Sequence, residues 1–314
     1  MKNVWLIGSG LMGEAYAKVL NALNVCFTVI GNRPESCKRF KQKTGISAIG
    51  GGIEKFLAGN PIPCTHAIVA VCEDKLLEVT ILLQKYGVKT FLLEKPGGVN
   101  YQEIESLFEF SQHYPASIFV AYNRRFYSST RRAIEIIKAD GGVQSFLMQF
   151  TEWSPVIEKL KKRSTIKESW FWSNSTHVLD LGFYLGGSPV EISSYIAGGI
   201  SWHPHCSIFT GAGRTCTGAL FSYHADWRGP GRWGVEIITA RHRLIFCPLE
   251  KLQIQKLGSL EIEAIELDDT LDKTFKPGIY LQTRQFIEGK TDTIFLPLKE
   301  HYQLAKYYQS IYKK

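Results

Sequence analysis

The sequence has no long hydrophobic run, no secretory leader pattern and no paired-cysteine motif. No uninterrupted apolar segment approaches the roughly 20 residues that a membrane-spanning helix needs. The first apolar run, Val4–Ile7, is too short for a signal peptide and continues directly into glycines. The seven cysteines form an odd, scattered set without Cys-x-x-Cys spacing, which is typical of reduced thiols. These absences predict a cytoplasmic protein with no membrane partner.

Metal-ligand spacing and a nucleic-acid-binding tract are also missing. Residues 202–206, Trp-His-Pro-His-Cys, lack a further ligand at recognisable spacing, so we interpret them as a loop and expect no metal. The net charge is +8, but the one dense basic run, Lys-Leu-Lys-Lys-Arg at 159–163, has no interleaved aromatics, which argues against a nucleic-acid partner. Two interpretations of this run stay open: a solvated loop, or attraction of an anionic substrate or of a phosphorylated cofactor.

No linker, internal repeat or low-complexity segment divides the chain, yet its pattern changes after residue 121. Residues 1–121 alternate between strand and helix signals, which predicts a doubly wound parallel sheet of the Rossmann type. The predicted strands are 4–8, 25–31, 46–49, 66–71, 90–94 and 117–121, and the predicted helices are 11–23, 34–43, 52–58, 74–86 and 101–113.

Residues 122–314 place strand after strand with glycine and proline turns, which predicts an α+β domain with a large, mostly antiparallel open sheet. The closing helices, 280–288 and 300–312, are free to pack back on the first domain. An exposed open sheet favours self-association, so we expect a homo-oligomer, a dimer or tetramer, through this sheet. The other predicted elements are a helix at 129–139 and strands at 143–151, 191–197, 207–210, 217–224, 234–239, 243–246 and 252–257.

The first predicted strand leads into Gly8-Ser9-Gly10-Leu11-Met12-Gly13, which opens a helix. A strand, a glycine turn and a helix in this order form a dinucleotide-binding fingerprint. Gly8 allows the tight turn, Gly10 lets the backbone approach a pyrophosphate, and Gly13 lets the helix pack on the strand. The free N–H groups of the helix then hold the negative charge. We expect Gly8, Gly10, Leu11, Met12 and Gly13 to bind a nicotinamide cofactor.

No acidic residue ends the second predicted strand, where one would bond the ribose 2′-hydroxyl of NAD. Asn32 and Arg33 stand there instead. The Arg33 guanidinium can pair with a 2′-phosphate and stack on the adenine, whereas Asn32 can still bond a bare ribose. The sequence therefore predicts NADP as the preferred cofactor and NAD as the alternative. An exposed turn arginine without a ligand is the other interpretation of Arg33.

The fifth predicted strand runs into Glu94-Lys95-Pro96. Ligands of open α/β sheets bind at the carboxyl ends of the strands, so Lys95 is expected to face the nicotinamide ring. An ammonium group there can stabilise negative charge on an oxygen atom as hydride moves. We expect Glu94, Lys95 and Val71, which follows the fourth strand, to contact the cofactor, and Lys95 to be catalytic. Lys95 as a surface lysine is the alternative.

Four short motifs follow one another between residues 8 and 180: the glycine motif, Glu94-Lys95-Pro96, Tyr122-Asn123-Arg124-Arg125-Phe126 and His177-Val178-Leu179-Asp180. In this order and spacing the chain resembles the Gfo/Idh/MocA oxidoreductases, the family of glucose–fructose oxidoreductase and inositol dehydrogenase. The resemblance covers nearly the whole chain. It implies a Rossmann domain, a second domain whose open sheet often mediates oligomers, and NAD(P)-dependent oxidation or reduction at one carbon of a sugar, nucleotide sugar or cyclitol.

The resemblance also implies roles. Lys95 matches the family's catalytic lysine, and a cis Lys95–Pro96 bond is expected from relatives. His177 matches the histidine usually assigned to proton transfer, and Asp180 matches the carboxylate three residues later, which is expected to orient His177. Asn123 matches a position that often contacts substrate.

A helix around His177 agrees with these roles. Asn174 or Ser175 can cap it and two glycines can end it, which places His177, Asp180 and Tyr184 on one face. An imidazole that titrates near neutral pH suits a proton shuttle. A structural histidine and an ordinary helix-surface ion partner are the alternatives.

One departure from the family matters: Ser173 stands where the family has an aspartate, four residues before the histidine. A hydroxyl cannot replace a carboxylate as a base. Two hypotheses follow: a ketone reduction for which Lys95 and His177 suffice, or a non-catalytic NADP-binding regulator. A third is a reductase of a planar anionic substrate, as in biliverdin reductase relatives.

Four residues are predicted to contact a sugar-like substrate: Asn123, Arg124, Trp172 and Ser173. Because of the basic run at 159–163, this substrate can be anionic. Arg124 or Arg125 can reach a phosphate or carboxylate, while the other serves structural pairing. Trp172 and its neighbour Trp170 can stack on a sugar ring, with packing in the domain core as the alternative.

Overall fold

The computed structural model of the chain describes residues 3–291 and 293–313, which form two compact units. One unit comprises Met1–Asn123 and Thr270–Tyr302, and the other comprises Arg124–Asp269 and Gln303–Lys314. The predicted boundary at 121–122 lies close to the first crossing between units. The segment Thr270–Tyr302 belongs to the first unit, which is thus built from two separate stretches of chain.

The elements of the first stretch are β1 (Val4–Ile7), α1 (Leu11–Ala22), β2 (Phe27–Ile30), α2 (Pro34–Thr44), β3 (Ala48–Ile49), α3 (Gly52–Ala58), β4 (His66–Val69), α4 (Leu76–Lys85), β5 (Thr90–Leu93), α5 (Tyr101–His113) and β6 (Ser117–Val120). The second unit continues with α6 (Ser128–Ala139), β7 (Ser145–Phe150), α7 (Ser154–Ile157), α8 (Ser164–Glu168), α9 (Thr176–Gly186), β8 (Pro189–Ala197), β9 (Ile208–Thr215), β10 (Leu220–Asp226), β11 (Trp233–Ile238), β12 (His242–Phe246), β13 (Gln253–Lys256) and β14 (Ile262–Ala264). The chain closes with α10 (Thr270–Thr274), α11 (Ile279–Glu288), β15 (Leu296–Pro297) and α12 (Leu298–Tyr312).

The first unit contains a seven-stranded sheet in the order β15-β6-β5-β4-β1-β2-β3. Its strands are short runs of buried apolar residues, and β1 is buried along its whole length, as expected for a sheet covered on both faces. Strands β1 to β6 pair in parallel, and only β15 runs antiparallel, beside β6. The predicted doubly wound parallel sheet is confirmed. The edge strand β15 was not predicted, because its two residues carry no strand pattern of their own.

The returning segment completes this unit by packing on elements far away in sequence. Helix α11 contacts α1, and the ammonium of Lys18 donates to the Thr274 carbonyl at 2.6 Å. At the start of α12, Nε2 of the buried His301 donates to the Pro96 carbonyl at 2.7 Å. The segment therefore holds both the glycine-loop helix and the turn that follows β5.

The second unit contains an eight-stranded sheet in the order β14-β13-β12-β11-β7-β10-β9-β8. Only β7 and β10 pair in parallel, so the predicted large, mostly antiparallel sheet is confirmed. Helix α9 packs on β7 and β11 through glycines, because a Cβ atom at Gly182 would lie 2.3 Å from Met148 Sδ and one at Gly186 would lie 2.2 Å from Phe146. This close packing fixes the helix that carries His177.

None of the described helices is both long and apolar enough to cross a membrane.

Candidate functional site

The glycine turn between β1 and α1 has the geometry that a dinucleotide requires. Gly8 has φ of 123°, and a Cβ atom there would lie 2.2 Å from the Ala70 carbonyl oxygen. A Cβ atom at Gly13 would lie 2.0 Å from the Gly8 carbonyl oxygen, so helix and turn meet backbone to backbone. A Cβ atom at Gly10, by contrast, would meet nothing within 4 Å. The N-terminus of α1 is thus open to an anion, and this turn fits a pyrophosphate.

The other residues predicted at this turn lie beside it. Leu11, the first residue of α1, is exposed, and Met12 is half-buried. Val71 is half-buried after β4, and its backbone nitrogen lies 3.2 Å from the position of a Gly8 Cβ atom. These side chains therefore border the carboxyl ends of β1 and β4, the edge at which open α/β sheets bind their ligands.

Asn32 and Arg33 are exposed after β2, and Arg33 immediately precedes α2. Two hydroxyl groups that the sequence analysis missed stand next to Arg33. Ser9 Oγ donates to Ser36 Oγ at 2.9 Å, and Ser36 Oγ donates to the Arg33 carbonyl at 2.8 Å. An exposed guanidinium at a helix N-terminus, on a turn that two serine hydroxyls hold in place, is a set that suits a phosphate. The serine three residues after Arg33 is the signal that could have found this set.

Glu94 and Lys95 stand at the carboxyl end of β5, as predicted. The buried Tyr16 hydroxyl of α1 donates to Glu94 Oε1 at 2.6 Å and lies 3.5 Å from Gln282 Oε1 of α11. Burial, and after it the Glu94 charge and hydrogen bond, raise the pKa of Tyr16, so this hydroxyl stays a donor. Lys95 is half-buried, and the Lys95–Pro96 peptide is cis, as the family resemblance implies.

Asn123 is buried in the first unit, where its amide donates to the Pro277 carbonyl at 2.9 Å. This bond ties the end of the first stretch of chain to the returning segment. Asn123 therefore has a structural contact in addition to the predicted contact with substrate.

His177 lies in α9 of the second unit, where it is 2% exposed, and it meets Arg124. Arg124 Nη1 lies 2.9 Å from His177 Nε2. A guanidinium can only donate, so Nε2 accepts, and the neutral imidazole carries its proton on Nδ1. The Arg124 guanidinium also lies 5.4 Å from the ring centre of Trp233, which is itself 5.9 Å from the His177 ring. Arg124 and His177, two predicted site residues, are thus brought together.

Asp180 does not orient His177, which corrects the sequence prediction. Both of its carboxylate oxygens accept from Arg125, at 2.9 Å from Nε and 2.7 Å from Nη2, and Asp180 is fully buried. Burial works against the Arg125 charge, but the Asp180 carboxylate outweighs it and raises the pKa of Arg125. Tyr184 of α9 covers this guanidinium at 4.6 Å. Arg125 is therefore the structurally paired arginine, because a bidentate partner satisfies the buried carboxylate as a single N–H of a histidine cannot.

The turn before α9 is a π-helix over Phe171–Ser175, and its side chains behave differently from the prediction. Asn174 and Ser175 do not cap α9, since both donate at 2.9 Å to the carboxylate of Glu152. Trp172 is 2% exposed and packs edge-on against Phe171, Tyr308 and Tyr312, so it is a core residue and not a sugar platform. Ser173 is buried beside it.

Glu152 is a buried carboxylate that the sequence analysis missed. It also accepts from Trp233 Nε1 at 3.2 Å. Burial raises the pKa of Glu152, and the hydrogen bonds from Ser175, Asn174 and Trp233 oppose this shift without cancelling it. The chain thus has a buried acid next to the π-helix that contains Ser173. No local pattern marks Glu152, because it lies two residues after the end of β7 and has the sequence context of a surface residue.

The loop at 202–206 binds its own residues. His203 is buried, and its Nδ1 lies 2.6 Å from the Cys206 carbonyl oxygen. Across residues 3–291 and 293–313, no group of three or more His, Cys, Asp or Glu side chains could hold a metal ion.

Comparisons with known proteins identify the fold. No protein-family model and no curated protein sequence matches the chain. Among solved structures, levoglucosan dehydrogenase in complex with NADH and L-sorbose has a TM-score of 0.79 at 16% identity, over 99% of this chain and 95% of that chain. UDP-N-acetylglucosamine 3-dehydrogenase from Acidithiobacillus ferrooxidans has a TM-score of 0.76 at 14% identity, over 99% and 96% of the two chains. An oxidoreductase from Agrobacterium radiobacter in complex with NAD+, L-tartaric acid and magnesium has a TM-score of 0.76 at 11% identity, over 99% and 95%. The chain shares their fold over its whole length.

Proposed function

We propose that the protein is an NAD(P)-dependent oxidoreductase that transfers hydride between nicotinamide and a hydroxyl- or keto-bearing carbon of a sugar, nucleotide sugar or cyclitol. The observation that carries this proposal is Lys95 at the carboxyl end of β5, in the same sheet as a glycine turn that is open for a pyrophosphate. The shared fold with dehydrogenases whose names include levoglucosan and UDP-N-acetylglucosamine supports the sugar-like substrate class.

The cofactor would be held by the first unit. Gly8, Gly10 and Gly13 shape the turn for the pyrophosphate, with Leu11 and Met12 at its side, and Val71 and Glu94 border the nicotinamide end. Arg33, at the N-terminus of α2, offers a charge and N–H donors for a 2′-phosphate, which favours NADP over NAD. When bound, the nicotinamide supplies or accepts the hydride.

Lys95 would stabilise the charge that develops on the reacting oxygen. An ammonium group in a half-buried position meets less screening by water than one on the surface, so its hydrogen bond to an alkoxide-like oxygen is strong. The Tyr16–Glu94 bond and the His301–Pro96 bond hold the two residues that flank Lys95. The lysine therefore acts from a fixed backbone.

His177 would exchange the proton. Because Arg124 donates to Nε2, the proton that the neutral imidazole can give is the one on Nδ1. In this tautomer the Nδ1–H can donate to the oxygen of a ketone as the hydride arrives, and the Arg124 charge at Nε2 offsets the negative charge that develops on the ring as the proton moves to that oxygen, so no carboxylate at position 173 is needed. Asp180, paired with Arg125, would act only by fixing α9.

A non-catalytic NADP-binding regulator is the second candidate. It is favoured by Ser173 at the position of the family's aspartate and by the Arg124 bond that already uses Nε2 of His177.

The proposal is tested by turnover and binding measurements on the wild type and on Lys95→Met. NADPH and NADH oxidation is followed with a panel of keto-sugars, nucleotide sugars and cyclitol ketones, and cofactor binding is followed by fluorescence. We expect Lys95→Met to lower kcat by about 10²–10³-fold with unchanged NADPH binding, because it removes one stabilising donor of the transition state. Lys89→Met, at the exposed amino end of β5, is the matched control and should keep wild-type turnover.

Wild-type turnover by Lys95→Met would remove this lysine from the chemistry. Tight NADPH binding without turnover of any substrate in the panel would instead support the regulator.

A further inference from the structure

Two tryptophans of the second unit, Trp170 and Trp233, have buried indoles. Trp233 Nε1 donates at 3.2 Å to Oε1 of the buried Glu152 carboxylate, which holds the Trp233 ring in place.

Each of the two indoles carries a cation on its face. The Lys162 ammonium lies 5.4 Å from the ring centre of Trp170. The Arg232 guanidinium lies 4.6 Å from the ring centre of Trp233 and 4.6 Å from that of the half-exposed Trp153. Stacking between two indoles holds the Arg232 side chain in one place and leaves its N–H groups free to donate in the ring plane. Arg232 is exposed, and it forms no ion pair with any residue that the structure describes.

The segment that carries Lys162 is anchored at both ends. We call residues 159–163 the basic loop. It connects α7 and α8, whose Ile157 and Ile166 side chains are buried. Lys167 Nζ closes the loop by donating to the Glu158 carbonyl at 2.7 Å. Its cations are all exposed, and Lys159 and Lys161 form no ion pair within the described part of the chain.

Two carboxylates near these cations are already bonded. Glu158 at its start accepts from the Ser201 hydroxyl at 2.5 Å. Asp226, before the turn that leads to Arg232, pairs with Arg228 at 3.0 Å. Arg232 stacks on Trp153, which directly precedes α7, and the basic loop follows the same short helix, so the cations of the loop lie near Arg232 and together attract anions.

Arg232 and His177 both contact the indole ring of Trp233. The Trp233 ring lies 5.9 Å from the His177 ring and 4.6 Å from the Arg232 guanidinium, so Arg232 and His177 are at most about 10.5 Å apart. That separation is about one sugar ring plus the bond to its substituent. Arg232 and His177 therefore lie within the length of one phosphorylated sugar.

We infer that Arg232 and the basic loop bind a phosphate or diphosphate group of the substrate, so that the protein acts on a phosphorylated or nucleoside-diphosphate sugar and not on a free neutral sugar. This inference rests on the proposed function for the reacting end of the substrate. The phosphate-binding surface itself belongs to the second unit. It can be tested without turnover.

The test is calorimetric titration of the full chain with inorganic pyrophosphate and with UDP at two salt concentrations. Lys159→Gln/Lys161→Gln and Arg232→Met should each weaken binding of both probes about tenfold, and the loss should shrink at high salt because exposed charges are screened. Lys138→Gln/Lys251→Gln removes two exposed lysines elsewhere in the same unit and should leave binding unchanged. NADPH affinity, measured in the same variants, should also stay constant.

The results separate the sources of the phosphate. UDP binding at least tenfold tighter than pyrophosphate would identify a nucleotide sugar, and equal affinities would identify a sugar phosphate. Equal weakening in the Lys138/Lys251 control, or weakening of NADPH binding by the loop variants, would overturn the inference.

The variants could weaken pyrophosphate binding as expected while the protein turns over no sugar substrate. This result would refute the proposed function and would still support the phosphate-binding surface.

Discussion

Arg33 is the residue on which the choice of cofactor depends. It is exposed directly after β2, and the Ser9 and Ser36 hydroxyls lie next to it. We expect NADPH to bind at least about tenfold more tightly than NADH, because a 2′-phosphate gains a charge-assisted pair worth about 1.4 kcal/mol. In Arg33→Ala this preference should disappear while NADH binding stays the same.

Fluorescence titrations of both cofactors at two salt concentrations measure this prediction. Lys38→Ala removes an equally exposed cation of α2 and serves as the control. Equal binding of the two cofactors by the wild type, or a preference for NADH, would show that Asn32 and not Arg33 governs the ribose pocket.

The partners of the two buried carboxylates, Asp180 and Glu152, could not be predicted from the sequence. The family resemblance implies that the carboxylate of Asp180 orients His177, but the partner of a carboxylate depends on which side chain the fold brings near it. Arg125 reaches Asp180 from 55 positions away, and its two parallel N–H groups fit the carboxylate better than His177 does. Glu152 escapes prediction for the same reason, because its partners come from the π-helix and from β11.

At the scale of elements, Asp140 fastens the end of α6 to the turn between β11 and β12. Its carboxylate accepts from Thr239 Oγ1 and His242 Nδ1, both at 2.6 Å, and pairs with Arg241 Nη2 at 2.9 Å. Burial would raise the pKa of Asp140, but the hydrogen bonds from Thr239 and His242 and the charges of His242 and Arg241 outweigh it and lower the pKa.

We expect Asp140→Asn to lower the free energy of unfolding by about 2 kcal/mol at neutral pH, since hydrogen bonds to a charged group are lost. A carboxyl group with a lowered pKa stabilises the fold above its ordinary pKa of 3.8, and that contribution is lost as the pH falls through the lowered value. The difference in the free energy of unfolding between the wild type and Asp140→Asn should therefore decrease below about pH 4.

Urea denaturation from pH 7 to pH 3 measures this gap. Glu135→Gln, which removes an exposed ion pair with Arg132 on the same helix, should change stability by less than about 0.5 kcal/mol. If the difference in the free energy of unfolding did not change with pH, the charge of the Asp140 carboxylate would be excluded as the cause of that difference.

At the scale of the whole molecule, the first unit is built from two stretches of chain. The returning segment contributes buried apolar side chains that would otherwise leave α1 and the sheet edge uncovered. These residues are Ile279, Leu281, Phe286, Ile287, Phe295, Leu296 and Leu298.

A fragment of residues 1–123 alone should therefore unfold without cooperativity, because each large apolar side chain that is lost removes about 1.5–3 kcal/mol of burial from a net stability of about 5–15 kcal/mol. The same fragment joined by a flexible linker to residues 270–302 should show a cooperative thermal transition by circular dichroism. A cooperative transition of fragment 1–123 at the same temperature would contradict the assignment of the returning segment to this unit.

The sequence by itself determined the features that local pattern controls. Apolar runs bounded by glycine and proline predicted most strands of both sheets, although not β14 or β15, and the glycine turn follows from residues within a few positions of one another. Such features depend on backbone sterics and on short-range hydrogen bonds, which a sequence states directly.

Only the tertiary structure decided which distant residues meet. It paired Asp180 with Arg125, placed Glu152 beneath the π-helix, buried Trp172, and assigned Thr270–Tyr302 to the first unit. Each of these outcomes is a choice among several chemically suitable partners, and the choice is made by packing and desolvation across the whole fold. Residue type states what a side chain can bind, whereas the fold determines what it does bind.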